Sequence, residues 1–404
     1  MPAGKLITPH LAEEAIFARL KSLPIESLPL SQCVGATLRE NIYAERDQPP
    51  FDRVTMDGIA VDSEALRRGV REFHVQATQA AGAPPLKLKD AVNAIEVMTG
   101  AILPIGCDNV IPVEQIEVTG ASVGLRAAVA TTPFHNVHRR GSDGRQGALL
   151  LATGTLLRAP EIAVAASAGM ARIRVSSQPA IMVVSTGDEL VEPGDPIADY
   201  QVRRSNAYAV AATLRQRGFG RIGDDHVRDD EGALRERLRL HLTTHEVLIL
   251  SGGVSMGKFD LVPKVLMGLG VQEVFHHIAQ RPGKPMWFGI GPQGQAVFGL
   301  PGNPVSTLVC LIRYVIPAIG AAMVTKRDDQ ERLALAAPVT FHAALTYFLP
   351  VALEHDDWGR AWAAPRPPNG SGDFLSLAGT DGFVELPPGP NTYPKGFVTR
   401  MYRW

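Results

Sequence analysis

The stretch VLILSGGVSMGKFD, residues 247–260, decides the fold of the central part of this chain. Its first four residues are apolar without polar alternation, which is typical of a parallel strand buried on both faces. Gly252 and Gly253 follow at once, and glycine lets the backbone turn tightly and approach a ligand closely. A helix is predicted from about Leu261 to Leu269. A buried strand, a Gly/Ser loop and a helix N-terminus together predict an anion site at the carboxyl end of a sheet.

Two further stretches repeat this arrangement. Residues 181–184 lead into Ser-Thr-Gly-Asp-Glu (185–189), and residues 296–300 lead into Pro-Gly-Asn-Pro (301–304). Three such loops from one sheet are expected to line one crevice. Two of them carry carboxylates, which indicates a divalent cation, most often Mg²⁺ held by protein and substrate oxygens together. Short connecting turns are the alternative for any one loop, but three loops with acids favour a site.

The composition is that of an ordinary soluble protein. The chain has 404 residues, enough for two to four domains, with 45% hydrophobic and 20% charged residues. The formal net charge of -1 shows no basic excess, so a nucleic-acid partner is not expected. Cys33, Cys107 and Cys310 match no zinc or redox spacing and are predicted to be buried or half-buried thiols in a reducing compartment.

No membrane segment is expected. The N-terminus leads to no apolar signal core. The apolar run 305–319 contains Arg313 and Pro317 and is expected to be too short to span a bilayer. We therefore expect a cytoplasmic protein that binds neither membrane nor nucleic acid.

The order of patterns predicts a multidomain α/β plus β protein. Residues 178–326 alternate strands and helices, including a helix capped by Ser205 and another capped by Asp229 or Asp230, which predicts a three-layer α/β domain with a mostly parallel sheet. Residues 46–139 are predicted to form a small β domain inserted between residues 1–45, which open with a helix over 9–21, and residues 140–177. Short strands and proline-rich turns in residues 327–404 predict a small β-barrel, with a sandwich as the alternative.

Three other loops attract attention. Residues 51–58, FDRVTMDG, form either a hairpin corner or part of a site, and their sequence alone leaves both open. The paired arginines of HRRGSDG (138–144) could grip phosphate, although a solvated charged loop is the alternative. In QRPGKP (280–285), two prolines and a glycine hold two cations rigidly, which favours anion binding over a surface turn.

Seven motifs occur in an order that indicates a known family. They are Met56-Asp57-Gly58, Met98-Thr99-Gly100, Arg139-Arg140-Gly141-Ser142-Asp143, Ser185-Thr186-Gly187-Asp188-Glu189-Leu190, Ser251-Gly252-Gly253-Val254-Ser255, Arg281-Pro282-Gly283-Lys284-Pro285 and Leu300-Pro301-Gly302-Asn303-Pro304-Val305-Ser306. The chain resembles the molybdopterin molybdenumtransferases, the family of bacterial MoeA and the gephyrin E domain, over essentially its whole length.

The resemblance implies an elongated, four-domain subunit that works as a homodimer with an active site shared between subunits. It implies insertion of molybdate into the dithiolene of adenylylated molybdopterin, with Mg²⁺ assisting and AMP released. A molybdopterin adenylyltransferase and a molybdoenzyme acceptor are the protein partners to expect. The substrate joins a pterin to AMP through a pyrophosphate, so glycine loops, cations and Mg²⁺ carboxylates in one crevice suit it.

The resemblance also assigns residues by motif position. The catalytic candidates are Asp57, Asp143, Asp188 and Glu189, and the metal candidates are Asp229 and Asp260. The substrate-binding candidates are Thr99, Ser185, Thr186, Gly187, Ser251, Gly252, Gly253, Ser255, Arg281, Lys284, Pro301, Gly302, Asn303, Pro304 and Ser371. Whether Asp57 and Glu189 position Mg²⁺, a water or a proton is left open.

Three departures from the family pattern concern charge. Lys258 stands where an acid or small polar residue is common, His277 stands where a lysine is common, and an arginine of the C-terminal domain is replaced near Pro350. Two alternatives to an insertase stay open. One is a non-catalytic carrier of molybdenum cofactor, which the lost cations keep open. The other is a molybdopterin adenylyltransferase, against which the full-length terminal domains argue.

Overall fold

The computed structural model describes residues 6–126, 128–254, 261–326 and 330–404. The chain forms two compact units. The larger unit comprises Met1–Arg39, Thr153–Arg158 and Arg172–Trp404, and the smaller unit comprises Glu40–Ala152 and Ala159–Ala171. The finer division into four domains, with boundaries at residues 45, 139, 177 and 326, stays a prediction.

The elements are numbered in chain order. The helices are α1 (Pro9–Phe17), α2 (Ser63–Arg67), α3 (Ala159–Ser167), α4 (Ser205–Gln216), α5 (Glu231–Thr244), α6 (Val262–Gly268), α7 (Pro304–Cys310) and α8 (Ile316–Ala322), with 3-10 turns at Leu30–Gln32, Val113–Gln115 and Leu375–Leu377 and a π-helical turn at Leu311–Val315. The strands are β1 (Ile25–Pro29), β2 (Ile42–Tyr43), β3 (Arg53–Val54), β4 (Gly58–Val61), β5 (Glu72–Gln79), β6 (Asn93–Val97), β7 (Asn109–Pro112), β8 (Ile116–Thr119), β9 (Ser122–Leu125), β10 (Val137–His138), β11 (Leu149–Leu151), β12 (Arg172–Ser176), β13 (Ile181–Thr186), β14 (Leu190–Val191), β15 (Val202–Arg203), β16 (Ile222–Val227), β17 (Val247–Ser251), β18 (Gln272–His276), β19 (Gln280–Arg281), β20 (Trp287–Ile290), β21 (Ala296–Leu300), β22 (Arg332–Leu335), β23 (Val339–Thr340), β24 (Thr346–His355), β25 (Ala361–Pro365), β26 (Gly382–Leu386), β27 (Thr392–Tyr393) and β28 (Val398–Arg403).

The central sheet of the larger unit has the order β16-β13-β17-β21-β20-β18. The pairings from β16 through β21 are parallel, and β20 and β18 are added antiparallel. Strands β13, β17 and β21 are buried along their whole length. The unbroken apolar runs predicted this, because a strand covered on both faces needs no polar alternation. The predicted mostly parallel sheet is therefore present, with an antiparallel edge that the sequence did not predict.

Helices cover both faces of this sheet. Val183 and Ile249 pack in a core with α4 residues such as Val210, whereas Val184 and Leu250 pack in a second core that includes α5. Successive residues of one strand thus enter opposite cores, as the pleat requires. In α5 the stripe of Leu234, Leu238 and Leu242 is buried, as its helical spacing predicted.

Two predicted helix ends were wrong. Ser205 is the first residue of α4 rather than its cap, because Arg204 holds the cap position and no side chain caps the helix. The first helix ends at Phe17 rather than Lys21, and Leu20 reaches the core from the turn that follows. Asp230 does cap α5, since its carboxylate accepts from the Ala233 N–H at 2.8 Å.

A mostly buried helix follows β21. Helix α7, the π-helical turn and α8 continue one another over Pro304–Ala322, whose 19 residues are long and apolar enough to cross a membrane. The expectation that this run is too short was therefore wrong. However, 67% of its apolar window is buried inside the protein, as in a core helix. Arg313 lies within it, 1% exposed, and pairs with Glu13 of α1 at 3.0 Å and Glu385 of β26 at 3.2 Å.

The C-terminal strands close on themselves. The order is β24-β25-β22-β28-β26, and β26 pairs back with β24, so the sheet forms a small barrel rather than a sandwich. Strand β19 pairs with β24, which ties residues 280 and 281 to the barrel. Residues such as Leu335, Leu349, Val351 and Val384 fill its core.

The smaller unit contains a mixed sheet of order β7-β4-β6-β5-β9-β8, in agreement with the predicted β character of this part. Short α2 packs on it through Ala65 and Leu66. All three cysteines are buried and unpaired, as predicted. Burial, with the nearby Asp108 carboxylate, raises the pKa of the Cys107 thiol to about 12, so this group is unreactive at neutral pH.

Candidate functional site in the larger unit

The three glycine-containing loops meet at one edge of the central sheet. Ser185 and Leu300 both lie in register with Ser251, on either side of it. The carboxyl ends of β13, β17 and β21 therefore open side by side. We number the loops in chain order: the first follows β13, the second follows β17 and the third follows β21. The Gly252 N–H of the second loop donates to the carbonyl of Leu300, the residue before the third loop, at 3.3 Å.

Gly252 is required by the packing of these loops. It has a φ of +99°, and a Cβ at this position would lie 2.6 Å from the Thr186 carbonyl oxygen. A Cβ at Gly253 would likewise lie 3.0 Å from the Thr186 hydroxyl. The two glycines thus let the second loop lie directly on the first.

The loops line a cleft of about 800 Å³. The predicted site residues among its walls are Ser185, Thr186, Glu189, Asp229, Ser251, Gly252, Gly253, Pro301, Gly302, Asn303 and Pro304. The walls also include residues that the sequence analysis missed, namely Arg203, Arg204, Ser205, Asn206, Gly372 and Phe374. Asparagine and serine in the first turn of a helix that follows a buried strand and its loop would have been the signal for Ser205 and Asn206.

Gly187 and Asp188 belong to the first loop but are not among the described residues that line the cleft. The Glu189 carboxylate lies against Gly187: a Cβ at residue 187 would be only 2.6 Å from Glu189 Oε2. The His226 Nε2 contacts the Gly187 carbonyl oxygen at 3.0 Å and, since a carbonyl only accepts, donates to it. This loop is therefore anchored on the side of β16.

A second cleft, of about 410 Å³, adjoins the first and shares Pro285, Pro301 and Asn303 with it. Arg281, Lys284 and Ser371 line it, so these three predicted substrate-binding residues lie together. Asn303 joins the helix to the barrel side of this cleft: its amide nitrogen donates to the Ser371 hydroxyl at 2.7 Å, while the Val305 N–H donates to the Ser371 carbonyl at 3.1 Å. Asn303 uses its side chain for this contact instead of capping α7.

The loop that carries Arg281 and Lys284 is held from below. Gln280 is fully buried, donates to the Pro282 carbonyl at 3.0 Å and accepts a hydrogen bond from the Tyr314 hydroxyl. Gly283 allows this packing, since a Cβ there would lie 2.5 Å from the Gln280 amide nitrogen. The two cations therefore stand on a preformed loop.

The departures from the family pattern take definite places. Burial, helped by the neighbouring His276, lowers the pKa of His277, so this residue is neutral at pH 7 and supplies no positive charge. Its ring stacks on that of His276 at 3.9 Å, and His276 contacts the Val254 carbonyl at 2.8 Å. Pro350 is buried in β24. Lys258, Ser255 and Asp260 lie outside the described residues.

A buried cation supports the wall of the larger cleft. Arg204 is 5% exposed and forms ion pairs with Glu192 and Asp224. The hydrogen bond from Arg204 lowers the pKa of the Glu192 carboxyl, which also accepts from the Tyr208 hydroxyl at 3.0 Å. These pairs fix the segment that enters α4.

Carboxylates of the larger cleft suit Mg²⁺. Within the part of the chain that the structure describes, no group of three or more His, Cys, Asp or Glu residues could hold a metal. Glu189 and Asp229 nevertheless line the same cleft. Mg²⁺ is commonly held by one or two carboxylates together with substrate phosphates and water, so this donor set fits it.

Three predicted residues belong to the smaller unit. The Asp57 carboxylate accepts from the Thr99 N–H and the Thr99 hydroxyl, and these bonds lower its pKa. Asp143 lies 2.8 Å from His138 Nε2. The paired arginines are engaged by carboxylates, Arg139 by Asp52 at 3.3 Å and Arg140 by Asp47 at 2.7 Å. Their role in phosphate binding stays a prediction.

The fold and cleft belong to a class described as a probable molybdopterin binding domain, whose family model matches residues 182–321. Residues 7–169 match the MoeA N-terminal region (domain I and II), and residues 332–400 match the MoeA C-terminal region (domain IV). The chain is 39% identical over 400 residues to the molybdopterin molybdenumtransferase of Synechocystis sp., covering 99% of this chain and 100% of that one. It is 32% identical over 402 residues to the protein of that name from Synechococcus elongatus, covering 95% and 96%.

Solved structures agree. A molybdopterin biosynthesis MoeA protein from Pyrococcus horikosii superimposes with a TM-score of 0.79 at 30% identity, covering 99% of both chains. This chain belongs to the MoeA family of molybdopterin molybdenumtransferases. It is accordingly a transferase of molybdenum cofactor biosynthesis.

Proposed function

We propose that this enzyme inserts molybdate into the dithiolene of adenylylated molybdopterin, with Mg²⁺ assisting and AMP released. The observation that supports this is the pair of adjoining clefts, one with carboxylates and glycine loops and the other with two cations. A substrate with a pyrophosphate suits the first cleft, and a small dianion suits the second.

The position of each residue in the two clefts suggests its role in the proposed reaction. Glu189 and Asp229 would hold Mg²⁺, together with Asp260, and bound Mg²⁺ would neutralise charge on the pyrophosphate. The pyrophosphate part of the substrate would be bound by Ser185, Thr186, Ser251 and the loop glycines. Arg281, Lys284 and Ser371 would orient molybdate, because a fixed set of donors holds a tetrahedral oxyanion. Asp57, Asp143, Asp188 and Glu189 are the proposed catalytic carboxylates, and Thr99 would hold Asp57.

Several finer features belong to the same proposal. We propose a cytoplasmic homodimer, the four domains with the boundaries given above, and a three-layer central domain. A molybdopterin adenylyltransferase would supply the substrate and a molybdoenzyme would accept the product.

The test is release of AMP from adenylylated molybdopterin in the presence of molybdate and Mg²⁺, for the unaltered chain and for Glu189→Ala. We expect molybdate-dependent release that the substitution lowers at least a hundredfold. Glu354→Ala is the matched control, since Glu354 is a carboxylate on the barrel surface whose exposed side chain pairs only weakly with Arg366. It should release AMP at the unaltered rate.

The neutral His277 and the buried Pro350 favour one other function, that of a carrier for molybdenum cofactor. A carrier would bind the pterin tightly without releasing AMP. Its Glu189→Ala variant would change the affinity only. That pattern would replace the insertase proposal.

A further inference from the structure

Asn206 connects two of the three loops of the larger cleft. It is the second residue of α4 and lines the cleft. Its amide nitrogen donates to the Ser251 hydroxyl at 2.9 Å and to the Gly302 carbonyl at 2.7 Å. One side chain therefore spans the loop after β17 and the loop after β21.

The orientation of this amide is fixed by chemistry. The Gly302 carbonyl can only accept, so the atom that faces it must be the nitrogen. Both protons of that nitrogen are then used, one for each loop. The Ser251 oxygen accepts one of them, so among the described residues the Ser251 O–H has no acceptor and can donate to a ligand, and Ser251 lines the cleft.

The amide oxygen of Asn206 adds no hydrogen bond within the described residues. Asn206 Oδ1 is buried and has no hydrogen-bond partner among the described residues, and the same holds for the hydroxyls of Ser185 and Thr186 at the end of β13. An unpaired buried acceptor costs free energy. Asn206 therefore places a polar atom without a partner among the described residues beside the cleft, and this points to a role there besides stability.

We propose that Asn206 is a positioning residue of the molybdopterin cleft: it holds the second and third loops at a fixed spacing and leaves the Ser251 hydroxyl as a donor to a substrate oxygen. The inference rests on the proposed function only in taking this cleft as the pterin site. It assigns Asn206 no contact with the reacting atoms.

Two substitutions separate positioning from stability. Asn206→Leu keeps the shape, removes both donors and also removes the unpaired oxygen. Asn206→Asp keeps the shape but places a carboxylate oxygen against the Gly302 carbonyl. We expect the leucine variant to melt within a few degrees of the unaltered chain, yet to bind molybdopterin at least tenfold more weakly. We expect the aspartate variant to bind still more weakly, because it adds repulsion and negative charge.

A second measurement needs no turnover and no ligand. Amide hydrogen exchange at residues 251–254, Gly302 and Asn303 should become at least tenfold faster in Asn206→Leu. The matched control is Asn109→Leu. Asn109 lies in the smaller unit, is fully buried, donates to the carbonyls of Ala130 and Thr132 at 3.0 and 2.9 Å, and has an unpaired Oδ1 within the described chain. It should alter neither molybdopterin binding nor exchange in the two loops.

The outcomes are distinguishable from those of the proposed function. If the unaltered chain binds molybdopterin but releases no AMP, the insertase proposal fails and the affinity of Asn206→Leu still decides this inference. If the unaltered chain does not bind molybdopterin, loop exchange decides it. Unaltered affinity in Asn206→Leu, or unaltered exchange in both loops, overturns the positioning role.

Discussion

Thr99 holds the Asp57 carboxylate twice: its backbone N–H donates to Asp57 Oδ1 at 2.6 Å and its hydroxyl donates to the same oxygen at 2.7 Å. Both bonds favour the ionised carboxylate and so lower the pKa of Asp57, the backbone bond most. The motifs Met56-Asp57-Gly58 and Met98-Thr99-Gly100, 42 residues apart, thus form one structural feature. On the proposed function, Asp57 is a catalytic carboxylate that these two bonds hold in its charged form.

The first prediction concerns pH. Thr99→Val removes the hydroxyl bond and keeps the backbone bond, so the pKa of Asp57 should rise toward its ordinary value. A carboxylate with a lowered pKa stays ionised down to a lower pH, and this protection is partly lost in the variant. The acid limb of the activity profile should therefore move to higher pH. The profile of AMP release against pH measures it.

Thr78→Val is the matched control for that shift. Thr78 also donates its hydroxyl to a carboxylate oxygen in the smaller unit, that of Glu96, at 2.6 Å. Its removal should leave the acid limb in place. An unmoved limb in Thr99→Val would mean that Asp57 does not titrate in the rate-limiting step.

The second prediction concerns Gly252. An alanine there would have to adopt a φ of +99° and place its Cβ 2.6 Å from the Thr186 carbonyl oxygen. The backbone strain alone costs about 1–3 kcal/mol, and the clash adds to it. We expect Gly252→Ala to lower the urea midpoint clearly and to weaken molybdopterin binding, because the second loop must move off the first.

Gly359→Ala separates strain from clash. Gly359 has a φ of +73°, and nothing lies within 4 Å of a Cβ built there. Its alanine variant should lose only about 1–2 kcal/mol, the cost of the left-handed conformation. Equal losses at both glycines would show that the loops do not press on each other.

The third prediction concerns Arg313. It is 1% exposed between Glu13 and Glu385. Arg313→Met would leave two carboxylates without their cation, and breaking a buried pair in this way costs about 3–5 kcal/mol. Denaturation in urea should show the loss, and Glu385→Gln added to it should restore part, because it removes one unpaired charge.

Arg366→Met provides the comparison for Arg313. The Arg366–Glu354 pair is about half exposed on each side, and such pairs contribute about 0–1 kcal/mol. Similar losses for the two arginines would mean that the Arg313 cluster is solvated in solution.

The fourth prediction concerns Tyr314, whose hydroxyl holds Gln280 below the loop of Arg281 and Lys284. Tyr314→Phe leaves a buried acceptor unpaired, at about 1–3 kcal/mol. On the proposed function, the KM for molybdate should rise severalfold while the KM for the pterin substrate stays the same. Steady-state kinetics with each substrate varied in turn measure this split.

Tyr393→Phe is the control for Tyr314. Tyr393 is 1% exposed in the barrel, and its hydroxyl donates to the Pro387 carbonyl. The variant should lose comparable stability without changing either KM. A rise of both KM values in Tyr314→Phe would argue for general loosening of the fold instead.

Much of the fold followed from local patterns. The apolar runs at residues 181–184, 247–250 and 296–300 predicted buried parallel strands, and these strands lie side by side. The glycine loops after them were predicted to line one crevice, and they do. Helix ends were predicted less well, as at Ser205 and Lys21, because the residue at which a helix begins or ends also depends on contacts with distant parts of the fold.

The missed residues show where local patterns stop. Asn206 has no motif of its own, and its role depends on Ser251 and Gly302, which lie 45 and 96 residues further along the chain. In the sequence, Arg313 was interpreted as an interruption of an apolar run. In the structure it is buried at the centre of an ion cluster. Only the packing of distant segments supplies Glu13 and Glu385 to it.

The sequence by itself determined the strands, the glycine turns and the order of the family motifs, because residue spacing and backbone conformational preference act over a few neighbours. Tertiary structure alone decided that the barrel closes, that Ser371 reaches Asn303 at 2.7 Å, and that the cation loop lies on Tyr314. These contacts join residues far apart in the chain, where specificity comes from shape, burial and the need to pair every buried polar group.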